Sequence, residues 1–322
     1  MRFIVYGVGA IGGTLAAKLA LSGADVAGIA RGAQLDALTS NGLLLRTPGG
    51  EHRVRFPVAG HPGELGLRPD DVVFLAMKSQ DTAGALEALR DAGTRHQAIV
   101  CAQNGVDNER AALRLFPNVQ AMLVVMPATF IRPGEVAAFG APHAGLFDIG
   151  RYPSGADPTT DAIVAALNAA GFAAFAQQDA MASKYGKLLM NLGNVIDAAA
   201  GDAAEGSDLM RRARDEGAAV LKAAGIAFID VGHDNERRKR LMQVQPVAGA
   251  ERVGSSSAQS LARGTGSIET DYLNGEIVLL GRLHGVPTPV NDFLCRLGQM
   301  LIAEKRAPGT ISMAQIDHLT AI

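Results

Sequence analysis

The sequence predicts a two-domain α/β protein, in which an amino-terminal doubly wound parallel sheet is followed by an all-helical domain. Strand-like apolar runs alternate with helical segments along the first half, a pattern typical of βαβ units. The first of these units carries a glycine motif between its strand and its helix. Beyond about residue 179, strand patterns vanish and apolar residues recur every three or four positions. We therefore assign residues 1–178 to the first domain and residues 179–322 to the second.

Composition supports this class and excludes others. The chain has 322 residues, 48% hydrophobic and 5% aromatic, with a formal net charge of −2. This length is too great for one ordinary core, and the small net charge excludes bulk attraction to nucleic acid or to an anionic membrane. No run approaches the roughly 18 to 20 apolar residues that span a bilayer. Cys101 and Cys295 lie far apart in apolar segments, which predicts neither a disulfide nor a metal site. We expect a cytoplasmic protein.

In the first half, the order of predicted elements is that of a parallel sheet with a late antiparallel addition. The charged run RVRFPV contains Pro57 and is therefore expected near a sheet edge. The later short strands at 134–136 and 144–149 are expected to add antiparallel to the sheet. The other predicted strands cover residues 2–8, 25–30, 53–58, 70–78, 97–105, 120–130 and 172–176, and the predicted helices cover 10–21, 33–40, 108–115 and 159–170.

In the second half, long amphipathic segments predict helices, with one Gly/Ser-rich interruption. That interruption, GAERVGSSSAQSLARGTGS at 249–267, reads either as a mobile surface loop or as a functional loop facing a cleft. The predicted helices cover residues 182–200, 207–224, 235–244, 267–284 and 290–303.

The motif GVGAIG directly after the first strand predicts a dinucleotide site. In this context Gly7 permits a tight turn, Gly9 lets the backbone approach a pyrophosphate, and Gly12 lets the helix pack close to the strand. Ala10 and Ile11 lie in the first turn of the helix, whose amino terminus faces the phosphate charge. We count all five as cofactor-binding. The alternative interpretation is a glycine-rich turn that binds no ligand.

The second strand lacks the carboxylate that usually binds the ribose hydroxyls of NAD. Its end holds Ile29, Ala30 and Arg31 instead. An acid there would repel a 2′-phosphate, whereas the planar guanidinium of Arg31 is suited to bind one. Asp25 is at the wrong end of the strand to compete. We therefore predict NADP as the cofactor, with the alternative that Arg31 is only a solvated residue.

Polar side chains follow two neighbouring strands of the predicted sheet. Lys78 lies at the end of the fourth strand in AMKSQ, and Asn104 at the end of the fifth in AQNG. Ligands of open α/β sheets bind outside the carboxyl ends of the strands, so both residues are expected beside the cofactor. Alternatively, Lys78 is a surface cation and Asn104-Gly105 is only a turn.

The first predicted helix of the second half carries a polar stripe. Lys187 and Asn191 are four residues apart and therefore share a face, with Lys184 on roughly the same side. Asn194 follows three residues after Asn191. Because asparagine is a poor helix former, two of them in one helix favour substrate binding over an ordinary solvated face.

Taken together, these motifs resemble the ketopantoate reductase family. The resemblance covers nearly the full length and rests on GVGAIGG, AMKSQDT, AQNGVDNE, YGKLLMNLGN and IETDYLNGEIVLLGRLHGVPTPVN, which occur in the family's order. It implies an NADPH-dependent reductase of 2-oxo acids, with a Rossmann domain followed by a helical domain like the carboxyl-terminal domain of 6-phosphogluconate dehydrogenase.

The resemblance also implies roles for individual residues. Lys187 would be the catalytic acid, with a pKa lowered by burial and by nearby Lys184, and Glu269 would oppose that shift or anchor the ammonium. The alternative for Glu269 is an exposed acid at a helix amino terminus. The remaining roles are Gly7, Gly9 and Gly12 for the pyrophosphate, Arg31 for the 2′-phosphate, Lys78 and Asn104 beside nicotinamide and substrate, and Asn191, Asn194 and a serine among Ser255, Ser256 and Ser257 for the substrate oxygens.

Two departures from the family pattern lie on the substrate side. The family usually has a second asparagine four residues after Asn191, where this chain has Val195, with Asn194 one residue early. Ser260 stands where the family has an acid. We expect reduction of ketopantoate to pantoate in pantothenate synthesis. The alternatives are a paralogous reductase of another 2-oxo acid and a non-catalytic NADP(H)-binding regulator. The apolar helical half would also suit a homodimer interface.

Overall fold

The computed structural model describes residues 1–232, 235–252, 254–264 and 266–320. The chain divides into two compact units, each built from two segments. The first unit comprises Met1–Lys184 and Val231–Arg252, and the second comprises Tyr185–Asp230 and Val253–Ile322.

The first unit is built on an eight-stranded sheet of the Rossmann type, as predicted. Its strand order is β13-β12-β8-β7-β6-β1-β2-β5, and the six strands from β8 to β5 run parallel to one another. Strand β12 pairs antiparallel with β8 and parallel with β13. The strands are β1 (Arg2–Tyr6), β2 (Asp25–Ile29), β5 (Val58–Ala59), β6 (Asp71–Leu75), β7 (Ala98–Cys101), β8 (Val119–Val125), β12 (Leu146–Arg151) and β13 (Ala173–Ala176).

Both faces of this sheet are buried, which explains the continuous apolar runs of its central strands. Phe3 and Val5 enter one apolar cluster, together with residues of α1 and α5. Ile4, between them, enters a second cluster with residues of α3 and α4. From β1 the sheet is extended in one direction by β2 and in the other direction by β6, β7 and β8. The strand order therefore reverses between β1 and β6. The helices are α1 (Ala10–Leu21), α2 (Gly32–Asn41), α3 (Thr82–Asp91), α4 (Asn108–Leu113) and α5 (Pro158–Ala169).

A second, four-stranded sheet corrects three strand predictions. Its order is β4-β3-β10-β9, from β3 (Leu43–Thr47), β4 (Gly50–Val54), β9 (Ala128–Arg132) and β10 (Glu135–Ala138). The strand predicted at 53–58 is wrong as a single element, because β4 ends before Pro57 and β5 begins after it. The strand predicted at 120–130 is likewise divided between the two sheets, at Pro127. The strand predicted at 134–136 corresponds to β10, which pairs antiparallel with β9 and parallel with β3 and does not join the main sheet. Strand β3 was not predicted.

The segment 231–252 belongs to the first unit, so the expectation that strands vanish after residue 179 is wrong there. Helix α9 (Glu236–Leu241) is followed by β14 (Met242–Val244), which pairs antiparallel with β11 (Gly140–Pro142). A helix was predicted through residue 244, and a three-residue edge strand is too short to show a period of two.

Side-chain contacts fix the same segment to the main sheet. The Arg237 guanidinium donates to the buried Asp148 carboxylate on β12 at 2.5 and 3.2 Å, and lies 4.1 Å from the centre of the Phe175 ring. Ser183 also donates to Asp148, at 3.0 Å. The predicted boundary lies after residue 178, whereas the compact unit extends to Lys184. The bonds of Ser183 and Arg237 to Asp148 explain why residues up to 184, and the segment 231–252, belong to the first unit.

The second unit is helical, as the sequence predicts. It contains α7 (Asn194–Ala200), α8 (Asp208–Ala223), α10 (Ser256–Ala262), α11 (Thr270–His284), α12 (Pro289–Ala303) and α13 (Met313–Thr320), and receives the second part of α6 (Ala180–Asn191). Helix α10 lies inside the segment predicted as a loop at 249–267, of which residues 253 and 265 lie outside the described part. No helix within the described residues is long and apolar enough to cross a membrane.

The single helix predicted over 182–200 is wrong, because α6 ends at Asn191 and α7 begins at Asn194. The backbone at the break is held by a buried amide network. The Asn274 side chain donates to the carbonyl of Leu192 at 3.0 Å and to Oδ1 of Asn291 at 3.0 Å. A carbonyl freed from a helix must find another donor when it is buried, and Asn274 supplies it.

Candidate active-site residues

Three glycines in the first unit have three separable roles. Gly7 has φ +98°, and a Cβ atom there would lie 2.7 Å from the backbone nitrogen of Met77. A Cβ atom on Gly12 would lie 2.1 Å from the carbonyl oxygen of Gly7, so only glycine lets α1 pack this closely on β1. A Cβ atom on Gly9, by contrast, would meet nothing within 4 Å. Packing therefore requires glycine at positions 7 and 12 but leaves space open beside Gly9.

The amino terminus of α1 fits an anionic ligand beside that open space. Gly9 caps the helix with no side-chain hydrogen bond, and no acidic residue occupies the first turn. The first N–H groups of a helix have no intrahelical acceptor and carry partial positive charge. Ala10 and Ile11, both half-buried, contribute two of them. This cradle fits the pyrophosphate of a dinucleotide, which is the predicted role of these residues.

Arg31 lies where the sequence predicts, directly after β2, but it has a neighbour that was not predicted. Its guanidinium lies 3.3 Å from Oδ1 of Asp81, and both side chains are exposed. The assumption that no carboxylate competes at this position is therefore wrong. Asp25 does lie at the far end of β2, where it binds Arg68 at 2.7 Å. Asp81 lies in the segment after β6. Its contact with Arg31 could not be predicted, because the spacing of residues along β2 carries no information about residues that follow β6.

The tails of β6 and β7 are joined by buried side chains. Asn108 donates from its amide to Oγ of Ser79 at 3.2 Å and to the carbonyl of Asn104 at 3.1 Å. Ser79 directly follows Lys78, so the structure brings the loops that carry Lys78 and Asn104 together, as predicted. Both Lys78 and Asn104 are half-buried.

Lys184 has a different environment from the one predicted for it. Its side chain is 2% exposed and forms an ion pair with Glu109, which is fully buried. Burial raises the pKa of the Glu109 carboxyl against the opposing effect of the Lys184 ammonium. The charge of Lys184 is thus compensated by a carboxylate that was not predicted. Sequence reasoning missed Glu109, since an acid in the first turn of a short helix reads as an ordinary surface residue.

In the second unit, Lys187 and Asn191 lie on α6 as predicted. Lys187 is half-buried, and Asn191 is 9% exposed at the end of the helix. The Nδ2 atom of Asn191 is buried without a hydrogen-bond partner among the described residues. Buried amide groups are nearly always bonded, so this atom is suited to a ligand oxygen.

Asn194 and the serines at 255–257 are brought together, as expected for one binding surface. The Asn194 amide lies 3.4 Å from Oγ of Ser256. Ser255 caps α10 and donates from its hydroxyl to the carbonyl of Asn194 at 3.0 Å. Its backbone N–H donates to Asp197 at 2.7 Å, another contact that was not predicted. Ser257 is buried. Ser256 is therefore the serine whose hydroxyl lies beside the Asn194 amide.

Glu269 is buried at the amino terminus of α11, with 6% of its surface exposed. The alternative of an exposed helix-terminal acid is therefore wrong. The structure also shows that the two residues that depart from the family pattern are both buried in the second unit. Val195 is 1% exposed in the helical core, and Ser260 is buried and donates to the carbonyl of Ser256 at 2.7 Å.

Comparison with known proteins decides the family. The model described as ketopantoate reductase PanE/ApbA matches residues 3–153, and the model of its carboxyl-terminal domain matches residues 179–301. The chain belongs to the ketopantoate reductase family. It is accordingly a pyridine-nucleotide-dependent oxidoreductase that acts on a CH–OH group.

Individual relatives agree with the family assignment. The 2-dehydropantoate 2-reductase of Mesorhizobium japonicum is 31% identical, over 95% of this chain and 99% of its own. The PanE/ApbA family ketopantoate reductase of Ralstonia eutropha JMP134 has a TM-score of 0.77 at 27% identity, covering 95% and 99% of the two chains. A D-mandelate dehydrogenase solved with NADH and anilino(oxo)acetate has a TM-score of 0.78 at 20% identity, covering 95% and 100%, and shares the fold.

Proposed function

We propose that this ketopantoate reductase family member uses NADPH to reduce a 2-oxo acid to a 2-hydroxy acid, and that the acid is ketopantoate, reduced to pantoate. The observation that carries the proposal is the glycine cradle at the end of β1, with its open space at Gly9 and a cation at Arg31. The family match and the similarity to 2-dehydropantoate 2-reductases support the assignment of ketopantoate as the substrate.

The chemistry needs one hydride, one proton and a cation. A reduced nicotinamide, when bound, supplies the hydride to the ketone carbon. The C–O π electrons then move to the oxygen, which takes a proton from the ammonium of Lys187 and leaves a neutral amine that solvent reprotonates. Asn191, whose Nδ2 atom has no partner in the part of the chain that the structure describes, is assigned to donate a hydrogen bond to a substrate oxygen. Asn194 and Ser256 are assigned to the carboxylate or hydroxyl groups, and Lys78 to the carboxylate.

Arg31 is expected to select NADPH over NADH, and Asp81 to weaken that selection. Arg31→Ala should weaken NADPH binding by about 10- to 100-fold, because a charge-assisted hydrogen bond is lost, and leave NADH binding nearly unchanged. Asp81→Asn should tighten NADPH binding by about two- to fivefold, since the exposed carboxylate competes for the guanidinium. Titration of nucleotide fluorescence measures both dissociation constants.

Arg68→Ala is the matched control for this prediction. Arg68 forms a comparable exposed ion pair, with Asp25 at the opposite end of β2, so its loss should change neither dissociation constant. Equal affinity of the wild-type protein for NADPH and NADH would contradict the assignment of Arg31.

The substrate is tested by oxidation of NADPH by the purified protein against a panel of 2-oxo acids. We expect the highest kcat/KM with ketopantoate. Turnover of another acid without turnover of ketopantoate would favour a second candidate, a paralogous reductase. Val195 and Ser260 favour that candidate, because both depart from the family pattern and both are buried in the second unit.

A non-catalytic regulator that binds NADP(H) is the remaining alternative. It has no need for the buried acid at Glu269 or for the buried Nδ2 atom of Asn191, which has no partner among the described residues. Tight NADPH binding with no turnover of any acid in the panel would favour it over both reductases.

A further inference from the structure

The first unit contains a buried ion pair to which no step of the proposed chemistry assigns a role. Lys184 on α6 and Glu109 on α4 are 75 residues apart in sequence, and their side chains are 2% and 0% exposed. The second carboxylate oxygen of Glu109, Oε2, is buried without a partner among the described residues. A buried ion pair contributes little net stability compared with well-packed apolar residues, so stability alone does not account for this one.

The same ammonium also binds the end of a strand. Lys184 donates from Nζ to the carbonyl of Cys101 at 3.3 Å and to the carbonyl of Gln103 at 3.1 Å. Cys101 is the last residue of β7, and Glu109 lies in the first turn of α4. One side chain therefore holds both ends of the loop 102–108, which is defined as the residues after β7 together with Asn108, the first residue of α4.

A second set of hydrogen bonds, which includes Thr82 at the start of α3, also holds this loop. Gln103 donates from Nε2 to Oγ1 of Thr82 at 2.7 Å, and Thr82 donates to Oδ1 of Asn108 at 2.7 Å. Asn108 in turn donates to the carbonyl of Asn104 at 3.1 Å. Two sets of bonds thus hold the loop, and Asn104 is the residue in it that the sequence predicts beside the nicotinamide.

We infer that Lys184 and Glu109 are positioning residues, which hold the loop 102–108 so that Asn104 is presented to the nucleotide and substrate in one geometry. The inference rests on the proposed function, because it takes Asn104 to lie beside the nicotinamide as the sequence predicts. The rigidity of the loop does not depend on that function. Neither residue is assigned a contact with substrate. A displacement of about 1 Å at such a position is enough to lower turnover by up to about 100-fold.

The test uses two variants and a matched control. Lys184→Met removes the ammonium and leaves a buried carboxylate. Lys184→Met/Glu109→Gln removes both charges, keeps the shape of the Glu109 side chain and shortens that of Lys184 by one atom. The control, Arg2→Met/Asp71→Asn, replaces another buried ion pair of the same sheet, at the amino ends of β1 and β6. We measure melting temperature, kcat, KM, the dissociation constant for NADPH, and amide hydrogen exchange over 102–108.

We expect the double variant to melt at a higher temperature than Lys184→Met, because it contains no unpaired buried charge, but to keep a low kcat. The expected loss of kcat is about 10- to 100-fold, with a change of at most about threefold in NADPH affinity. Exchange over 102–108 should be at least about tenfold faster than in the wild type. The control should lose melting temperature with kcat unchanged.

Two outcomes overturn the inference. Recovery of kcat together with melting temperature in the double variant would show a merely structural pair. Unchanged hydrogen exchange over 102–108 would show that the pair does not hold the loop. Absence of activity in the wild-type protein would count against the proposed function. The exchange measurement needs no turnover, so it would still decide whether the ion pair holds the loop.

Discussion

Lys187→Ala is expected to lower kcat by about 10²- to 10⁴-fold, the range for loss of a general acid, while NADPH still binds with nearly wild-type affinity. The physical reason is that the oxygen of the reduced ketone must receive both a proton and a positive neighbour. Lys187→Arg distinguishes the supply of a proton from the supply of a positive charge, because a guanidinium keeps its charge but does not release its proton in a protein. We expect it to remain at least about tenfold below the wild type.

Steady-state kinetics with saturating NADPH and a titration of NADPH fluorescence measure the two quantities. Lys222→Ala, at an exposed lysine of α8 in the same unit, is the control and should change neither. A kcat near that of the wild type in Lys187→Ala would remove Lys187 as the acid. Weak NADPH binding in that variant would show instead a role in holding the nucleotide.

Gly9→Ala and Gly12→Ala are expected to fail in different ways, although they lie three residues apart. In Gly9→Ala the new methyl group enters open space, so the melting temperature should stay within a few degrees of the wild type. NADPH affinity should fall by about tenfold or more, because the methyl group occupies the space into which the pyrophosphate must come.

In Gly12→Ala the methyl group would lie 2.1 Å from the carbonyl oxygen of Gly7. Overpacking of this kind costs about 1–3 kcal/mol, so the free energy of unfolding should fall by that amount. Gly84→Ala is the control: it lies in α3, where a Cβ atom meets nothing within 4 Å, and should gain stability without any effect on NADPH. Unchanged NADPH affinity in Gly9→Ala would indicate a glycine-rich turn that binds no nucleotide there.

The elements that could be predicted from the sequence are those whose structure follows from a local pattern of apolar residues or glycines. Helix α1 covers the residues predicted for it, and the apolar runs of β1, β6 and β7 show a sheet buried on both faces. The errors fall where tertiary contacts override a local pattern. The helix predicted over 182–200 breaks because Asn274, some 80 residues later, satisfies the carbonyl of Leu192. The strand β14 exists only because β11 offers an edge.

The candidate site divides in the same way. The sequence by itself determined the glycine cradle, the cation at Arg31, the polar stripe of Lys187 and Asn191, and the family, because each depends on spacing within one element or on motifs that match in order. Only the tertiary structure decided that Asp81 accompanies Arg31 and that Lys184 is paired with Glu109. Partners 50 and 75 residues apart share no spacing rule; the folded sheet alone brings the ends of its strands together.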